Sequence, residues 1–214
     1  FTKDCPKPLL PLGDKPILEH ILIKAKSEGF FNYVFSINYL GNMIKNFFGN
    51  GKRFNIKIKY LMEKFPLGTA GALSLLKPRP KYPFIVCNGD VISDIKLSEL
   101  LDFHIRNNAF ATMAVKPYEI KNPYGVAKIK GNEIINLEEK PVIKSHINTG
   151  VYVLDPLIFN YLTKNKYLDM NILFKNLIKK SKKVLAYPAY ETWLDLGRPK
   201  DFNRASRKIK SVKK

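Results

Sequence analysis

Cysteine is scarce. The 214 residues hold two, Cys5 and Cys87, far apart in the chain, and two distant thiols with no legible secretory leader call for no disulfide framework. No apolar run is long enough to span a bilayer, which argues against a membrane partner. The expectation is a soluble, cytoplasmic protein. Acid is also short: 18 Asp+Glu stand against 37 Lys+Arg, a formal charge of +19. Such a balance favours nucleic acid, an anionic surface or phosphorylated small molecules. The lysines are scattered rather than striped, however, and come with many Asn, Ile and Phe, a bias that A+T-rich coding produces without any partner. The main crowded stretch, with Arg204, Arg207, Lys208, Lys210, Lys213 and Lys214, reads as a solvated helix face and a frayed end. No nucleic-acid partner is expected. His20, His104 and His146 lack metal-ligand spacing, and no internal repeat or low-complexity segment interrupts the chain.

What is present is an alternation of strand and helix signals with no change of composition regime, which predicts one domain over residues 1–214. Residues 15–28 place Ile17, Leu18, Ile21, Leu22 and Ala25 on one helical face, with Gly29 as the C-terminal stop. Strands are expected at 31–37, 54–61, 83–90, 109–115, 126–130, 133–139 and 147–154, with Gly131-Asn132 as a hairpin turn. Helices are expected around 43–48, from LGTAGAL, from Ser98 to Asn107 with Ser98 as the cap, from Pro156, from Asp169 to Lys179, and from Pro199. Short crossovers in the first half predict an α/β fold with a mixed, mostly parallel central sheet and helices on both faces.

In open α/β sheets, ligands collect at the carboxyl ends of strands. The run PFIVCNGDVI reads as a buried strand that delivers Asp90 to such an end, and ETWLDLGRP delivers Asp195 in the same manner. Each acid alone could simply cap a helix or accept turn amides. Two carboxylates brought separately to one sheet edge make a plausible Mg²⁺ site, because Mg²⁺ commonly takes one or two protein carboxylates beside waters and phosphates. In PKPLLPLGDKP, prolines at 6, 8, 11 and 16 restrict the backbone around Lys7 and Lys15. EKFPLGTAGAL sets Pro66, Gly68 and Gly71 at a small-residue helix start, suited to close approach by a flat ligand or to packing of that helix against a strand. LEEKP gathers Glu138, Glu139 and Lys140 at a strand end, where a solvated charged turn is the plain alternative.

Taken together, PKPLLPLGDKPILEHIL, EKFPLGTAGAL, NGD, NPYGVAKI, LEEKP, INTGVYVL and WLDLGRPKDF occur in the order seen in sugar-1-phosphate nucleotidyltransferases, and the chain resembles that family from residue 2 to about 206. It is most similar to the mannose-1-phosphate guanylyltransferase-like branch and to related domains fused to CBS modules in bacterial surface-sugar pathways. The resemblance implies a Rossmann-like nucleotide-diphospho-sugar transferase fold and a reaction between an NTP and a hexose 1-phosphate that releases pyrophosphate. By motif, Asp90 and Asp195 would hold Mg²⁺, Lys7 would face the nucleotide phosphates, and Lys140 the sugar phosphate. Glu63, Pro66, Leu67, Gly68 and Thr69 would contact the nucleotide. Glu139, Asn148 and the backbone of Gly125 would meet sugar hydroxyls, with Thr149 nearby.

An ionised Glu63 only accepts hydrogen bonds, and guanine offers two adjacent donors, so GTP is the expected nucleotide. The family's glycine-rich, arginine-bearing loop is expected just ahead of Phe1; without it, the chain as written is expected to bind NTP weakly and turn over little. Asn88 stands where the family often has an aspartate. Two alternatives stay open, a noncatalytic nucleotide-sugar-binding scaffold and a thymidylyltransferase acting on glucose 1-phosphate. Among partners, a homo-oligomer stays open under every one of these readings.

Overall fold

A computed structural model of the chain describes residues 4–197. A 3-10 turn (Lys7–Leu9) and a minimal hairpin of β1 (Pro11–Leu12) and β2 (Lys15–Pro16) lead into α1 (Ile17–Ser27). The helix buries Ile17, Leu18, Leu22 and Ala25, the stripe that its apolar spacing requires. It stops as expected: Gly29 adopts φ +91°, and the N–H groups of Gly29 and Phe30 return to the carbonyls of Lys26 and Ala25. Strand β3 (Asn32–Ile37), helix α2 (Gly41–Phe48) and strand β4 (Lys57–Met62) form a crossover unit, with β3 and β4 parallel.

The LGTAGAL helix is a single turn, α3 (Gly68–Gly71), which tightens into a 3-10 turn (Ala72–Leu75). Strands β5 (Phe84–Cys87) and β6 (Val91–Ser93) flank the turn that carries Asp90, and α4 (Leu97–Arg106) leads to β7 (Ala111–Lys121). The expected hairpin of β8 (Val126–Lys130) and β9 (Glu133–Glu138) turns at Gly131, φ +61°. Then come β10 (Val142–Leu154), α5 (Met170–Lys179), β11 (Val184–Pro188) and β12 (Trp193–Asp195). The helix expected from Pro199 lies outside the described residues.

The largest sheet has the order β11-β7-β10-β5. Its β10 pairs antiparallel with both β7 and β5, and only β11 runs parallel to its neighbour. The sheet is therefore mixed, and less parallel than the strand-helix alternation predicts, because β10 returns from the β8–β9 hairpin instead of through a helical crossover. Helices do cover both faces. Along β10, Tyr152 and Leu154 pack against Met170, Leu173 and Phe174 of α5, while the alternate Val151 and Val153 pack against Leu97 and Leu100 of α4. Each such fully buried Leu or Val contributes about 1.5–3 kcal/mol. A third cluster joins α1, α2, β3 and β4 through Leu22, Ile44, Phe48 and Ile58.

Three local expectations change. The strand at 84–87 is an edge strand in its sheet, so Phe84, Ile85 and Val86 are half-buried and Cys87 is exposed, whereas the apolar run suggests full enclosure. The segment from Pro156 is a 3-10 turn (Pro156–Tyr161), not an α-helix. Ser98 lies inside α4 and does not cap it; the Glu28 carboxylate at the end of α1 accepts the Ser98 N–H at 2.9 Å and its hydroxyl at 3.1 Å. Among the described residues, no helix is long and apolar enough to cross a membrane.

Candidate active site

The site begins with the antiparallel pairing of β6 and β12, which sets Asp195 opposite Val91, next to Asp90. The Leu196 N–H donates to the Asp90 carbonyl at 3.0 Å, closing the two acidic turns on each other. Lys7 arrives from the other side: the 3-10 turn after Pro6 holds its backbone, Pro8 approaches Gly89, and its Nζ stands 4.0 Å from Asp90 Oδ2. Gly197 occupies the centre. A methyl group there would lie 2.9 Å from Asp195 Oδ1, 3.6 Å from Lys7 Nζ and 3.7 Å from Asp90 Oδ2, so the absence of a side chain leaves the three charged groups facing one small space. Burial lifts the Asp90 carboxyl above its ordinary value; Lys7 pulls it back and Asp195 pushes it further up.

The NTG stretch is joined to this centre. The register between β10 and β7 shifts between Asn148 and Tyr152, and Gly150 at φ +77° takes the bend. A side chain at Gly150 would strike Asn88 Nδ2 at 2.6 Å, and the Asn88 N–H donates to the Gly150 carbonyl at 2.9 Å. Asn88, two residues before Asp90, thus packs on the bulge that aims Asn148. Thr149 is a correction: it is fully buried and its hydroxyl donates to the Ala114 carbonyl at 2.8 Å, so it faces the core and no sugar. Its carbonyl instead accepts Trp193 Nε1–H at 2.7 Å, tying the bulge to β12 two residues before Asp195.

The PLGT segment is shaped by protein contacts. Glu63 accepts the Ser36 hydroxyl at 2.6 Å through Oε1 and the Leu67 N–H at 2.8 Å through Oε2, while Asn38 Nδ2 donates to its carbonyl. Leu67 is buried, and Pro66 is exposed. Gly68 and Gly71 have a packing reason: a methyl group on Gly68 would meet the Leu168 carbonyl oxygen at 2.7 Å, and one on Gly71 the Lys166 carbonyl oxygen at 2.5 Å. The Thr69 hydroxyl accepts the Met170 N–H at 2.8 Å, capping α5 from a distant segment.

Gly125, Glu139 and Lys140 form a separate group on the β8–β9 hairpin. Glu139 Oε2 is 2.9 Å from where a Gly125 side chain would begin, and Lys140 Nζ is 3.8 Å from Glu139 Oε1 with both side chains largely exposed. Among the described residues, no hydrogen bond or ion pair ties this trio to Lys7 or Asp90. No described group of three or more His, Cys, Asp and Glu side chains clusters for a metal; Lys7 stands beside the acidic pair, its Nζ 4.0 Å from Asp90 Oδ2. Ser36 and Asn171 carry no motif signal as site residues, since their importance comes from what folds against them; Asn88, Gly150 and Gly197 lie within the motifs, but only the fold gives them their contacts.

A family model for nucleotidyl transferases matches residues 1–212. The chain is 29% identical to the UTP–glucose-1-phosphate uridylyltransferase of Synechocystis sp. over 99% of its own length and 61% of that protein. It is 32% identical to the mannose-1-phosphate guanyltransferase of Yarrowia lipolytica over 94% of its length and 58% of that protein. It thus spans about three-fifths of these curated relatives. Among solved structures, HddC from Yersinia pseudotuberculosis, complexed with GMP-PN, superposes with a TM-score of 0.74 at 22% identity, covering 98% of this chain and 92% of that one. That likeness establishes the α/β fold.

Proposed function

The chain belongs to the nucleotidyl transferase family, and on that premise we propose that it joins an NTP to a hexose 1-phosphate, giving an NDP-sugar and pyrophosphate. In this reaction an oxygen of the sugar phosphate bonds to the α-phosphorus, and the bond from that phosphorus to the bridging oxygen breaks as pyrophosphate leaves. The attacking oxygen is anionic near neutral pH, so no general base is required. The chain's task is to align two mutually repelling anions and offset their charge. The observation that carries the reading is the meeting of Lys7, Asp90 and Asp195 around Gly197. Lys7 offsets the nucleotide phosphates there, and Lys140 and Glu139 receive the phosphate and a hydroxyl of the incoming sugar beside the Gly125 backbone.

Two carboxylate groups suit Mg²⁺, and the repulsion that helps raise Asp90 is what a divalent cation would offset. Asp90 and Asp195 would hold the ion. When bound, it supplies positive charge against the phosphate oxygens. GTP is the proposed nucleotide: Glu63 can only accept hydrogen bonds, which suits guanine's two adjacent donors, and guanyltransferases stand among the relatives. The test is a matrix of NTPs against hexose 1-phosphates with Mg²⁺, read as NDP-sugar and pyrophosphate. GTP with a hexose 1-phosphate should give the highest kcat/KM. NTP or nucleotide-sugar binding without product from any pair would overturn the enzymatic reading in favour of a noncatalytic binding domain.

A further inference from the structure

The amide of Asn148 has already committed most of its hydrogen-bonding capacity. Its Oδ1 accepts the Gly150 N–H at 2.9 Å. A backbone N–H can only donate, so this bond fixes which end of the amide is oxygen. The Nδ2 end then faces Tyr152 Oη at 2.7 Å and the side chain of Asn171 at 2.9 Å. Both of its protons are thereby used. Because Nδ2 only donates, the atom of Asn171 that receives it must be Oδ1. The orientation of the second amide follows from the first, and it leaves the Asn171 NH₂ group on an exposed side chain with no hydrogen bond among the described residues.

Asn171 is also held in place. It is the second residue of α5, whose first N–H is capped by the Thr69 hydroxyl at 2.8 Å, and Asp169 Oδ1 accepts the Thr69 N–H at 3.3 Å. The helix start that carries Asn171 is therefore fastened to the PLGT segment, while its side chain is fastened to the NTG bulge, which Asn88 joins to Asp90.

We infer that Asn171 donates to a hydroxyl of the hexose 1-phosphate and so helps select the sugar, with Asn148 as the positioning residue that orients it. The inference rests on the nucleotidyl-transfer reading and adds a residue to it. Asn148, with both protons committed inside the protein, retains one acceptor lone pair for a ligand. Asn171 adds two donors that make no hydrogen bond among the described residues.

The experiment is a deoxy-sugar series. Values of kcat/KM are measured for a hexose 1-phosphate and its monodeoxy analogues with the wild type, Asn171→Ala and Asn171→Asp. The aspartate keeps an oxygen for Asn148 and removes both donors. In the wild type, one deoxy position should cost roughly 3- to 10-fold, the value of one neutral hydrogen bond. In both variants that cost should vanish, through KM for the sugar, with KM for the NTP and the unfolding midpoint unchanged. Wild-type discrimination retained at every position, or turnover lost equally for all analogues, overturns the role of Asn171 and leaves the enzymatic reading standing. If the wild type makes no NDP-sugar, calorimetric binding of the hexose 1-phosphate decides: weaker binding by Asn171→Ala supports the inference, equal binding overturns it, and no binding by either protein overturns it together with the function.

Discussion

Thr69 and Asp169, 100 residues apart, serve each other's segments: Asp169 Oδ1 accepts the Thr69 N–H at 3.3 Å, and the Thr69 hydroxyl accepts the N–H of Met170, directly after Asp169, at 2.8 Å. Asp169 makes no side-chain bond to its own helix, so α5 takes its cap from the PLGT segment. Thr69→Val keeps the shape and removes the acceptor. It should cost about 1 kcal/mol in denaturant unfolding, while Thr69→Ser should restore most of it. An unchanged midpoint for the valine variant would show the cap to be dispensable.

The glycines separate strain from collision. Gly29 has φ +91° and nothing within 4 Å of a new methyl group, so Gly29→Ala should cost only the left-handed backbone, about 1–2 kcal/mol. Gly71 has no such backbone restriction, but its methyl group would lie 2.5 Å from a backbone oxygen of Lys166. Gly71→Ala should therefore cost more, about 3 kcal/mol, and shift the 166–169 segment. Equal losses in urea unfolding would refute the packing account.

Glu28 gives the fold an acid-sensitive joint. Burial acts to raise its pKa, but the Lys24 ammonium at 2.7 Å and the Ser98 N–H and hydroxyl outweigh that and hold it below its ordinary value. The unfolded chain then binds the proton more readily than the folded one, so this stabilisation is complete above the ordinary glutamate pKa and is lost as pH falls through the folded value. Stability curves from pH 7 to pH 3 should show a loss in the wild type that is shallower in Glu28→Gln. Parallel curves would count against the assignment.

Asp90 should trade stability for activity. Its pKa is raised by burial and by Asp195 against the pull of Lys7, so its ionised form costs the folded state free energy near neutral pH. The Lys7 contact, at 4.0 Å and half exposed, offsets little of this. Asp90→Asn should raise the thermal midpoint without metal, lower NDP-sugar formation by about 100-fold or more, and reduce the stabilisation by added Mg²⁺. A variant less stable than wild type and equally active would sink this account.

Glu63→Gln tests the nucleotide. Its amide oxygen can still accept the Leu67 N–H, and the Ser36 hydroxyl can rotate to accept from the new NH₂, so the loop should persist. The edge offered to the base changes, and the preference for GTP over dTTP should fall about tenfold. Unaltered selectivity in a pyrophosphate-release assay would rule out Glu63 as the base reader. Ser36→Ala serves as the control for loop geometry.

Much of the site was readable because its signals are local. Proline spacing around Lys7 and an acid placed just after an apolar run are visible in short windows, and Asp90 and Asp195 do meet. Thr149 misled because NTG reads the same whether its threonine faces a ligand or the core; only the bulge in β10 sends the hydroxyl to Ala114. PLGTAG was ambiguous for a related reason, since a glycine that admits a ligand and one that admits a carbonyl oxygen are identical in text. The oxygen that decides it belongs to residues 166–168, nearly a hundred positions away.

By itself, the sequence determined the positions and types of most elements and the identity of the charged groups, because periodicity and turn chemistry act between neighbours in the chain. Tertiary structure decided which strands pair, that β10 runs antiparallel to both of its neighbours, and how each polar group spends its hydrogen bonds. Those outcomes depend on which groups arrive opposite one another after folding. A carboxylate, an amide or a hydroxyl keeps the same chemistry in any sequence, but its partner is set by long-range geometry, and the partner decides what remains for a ligand.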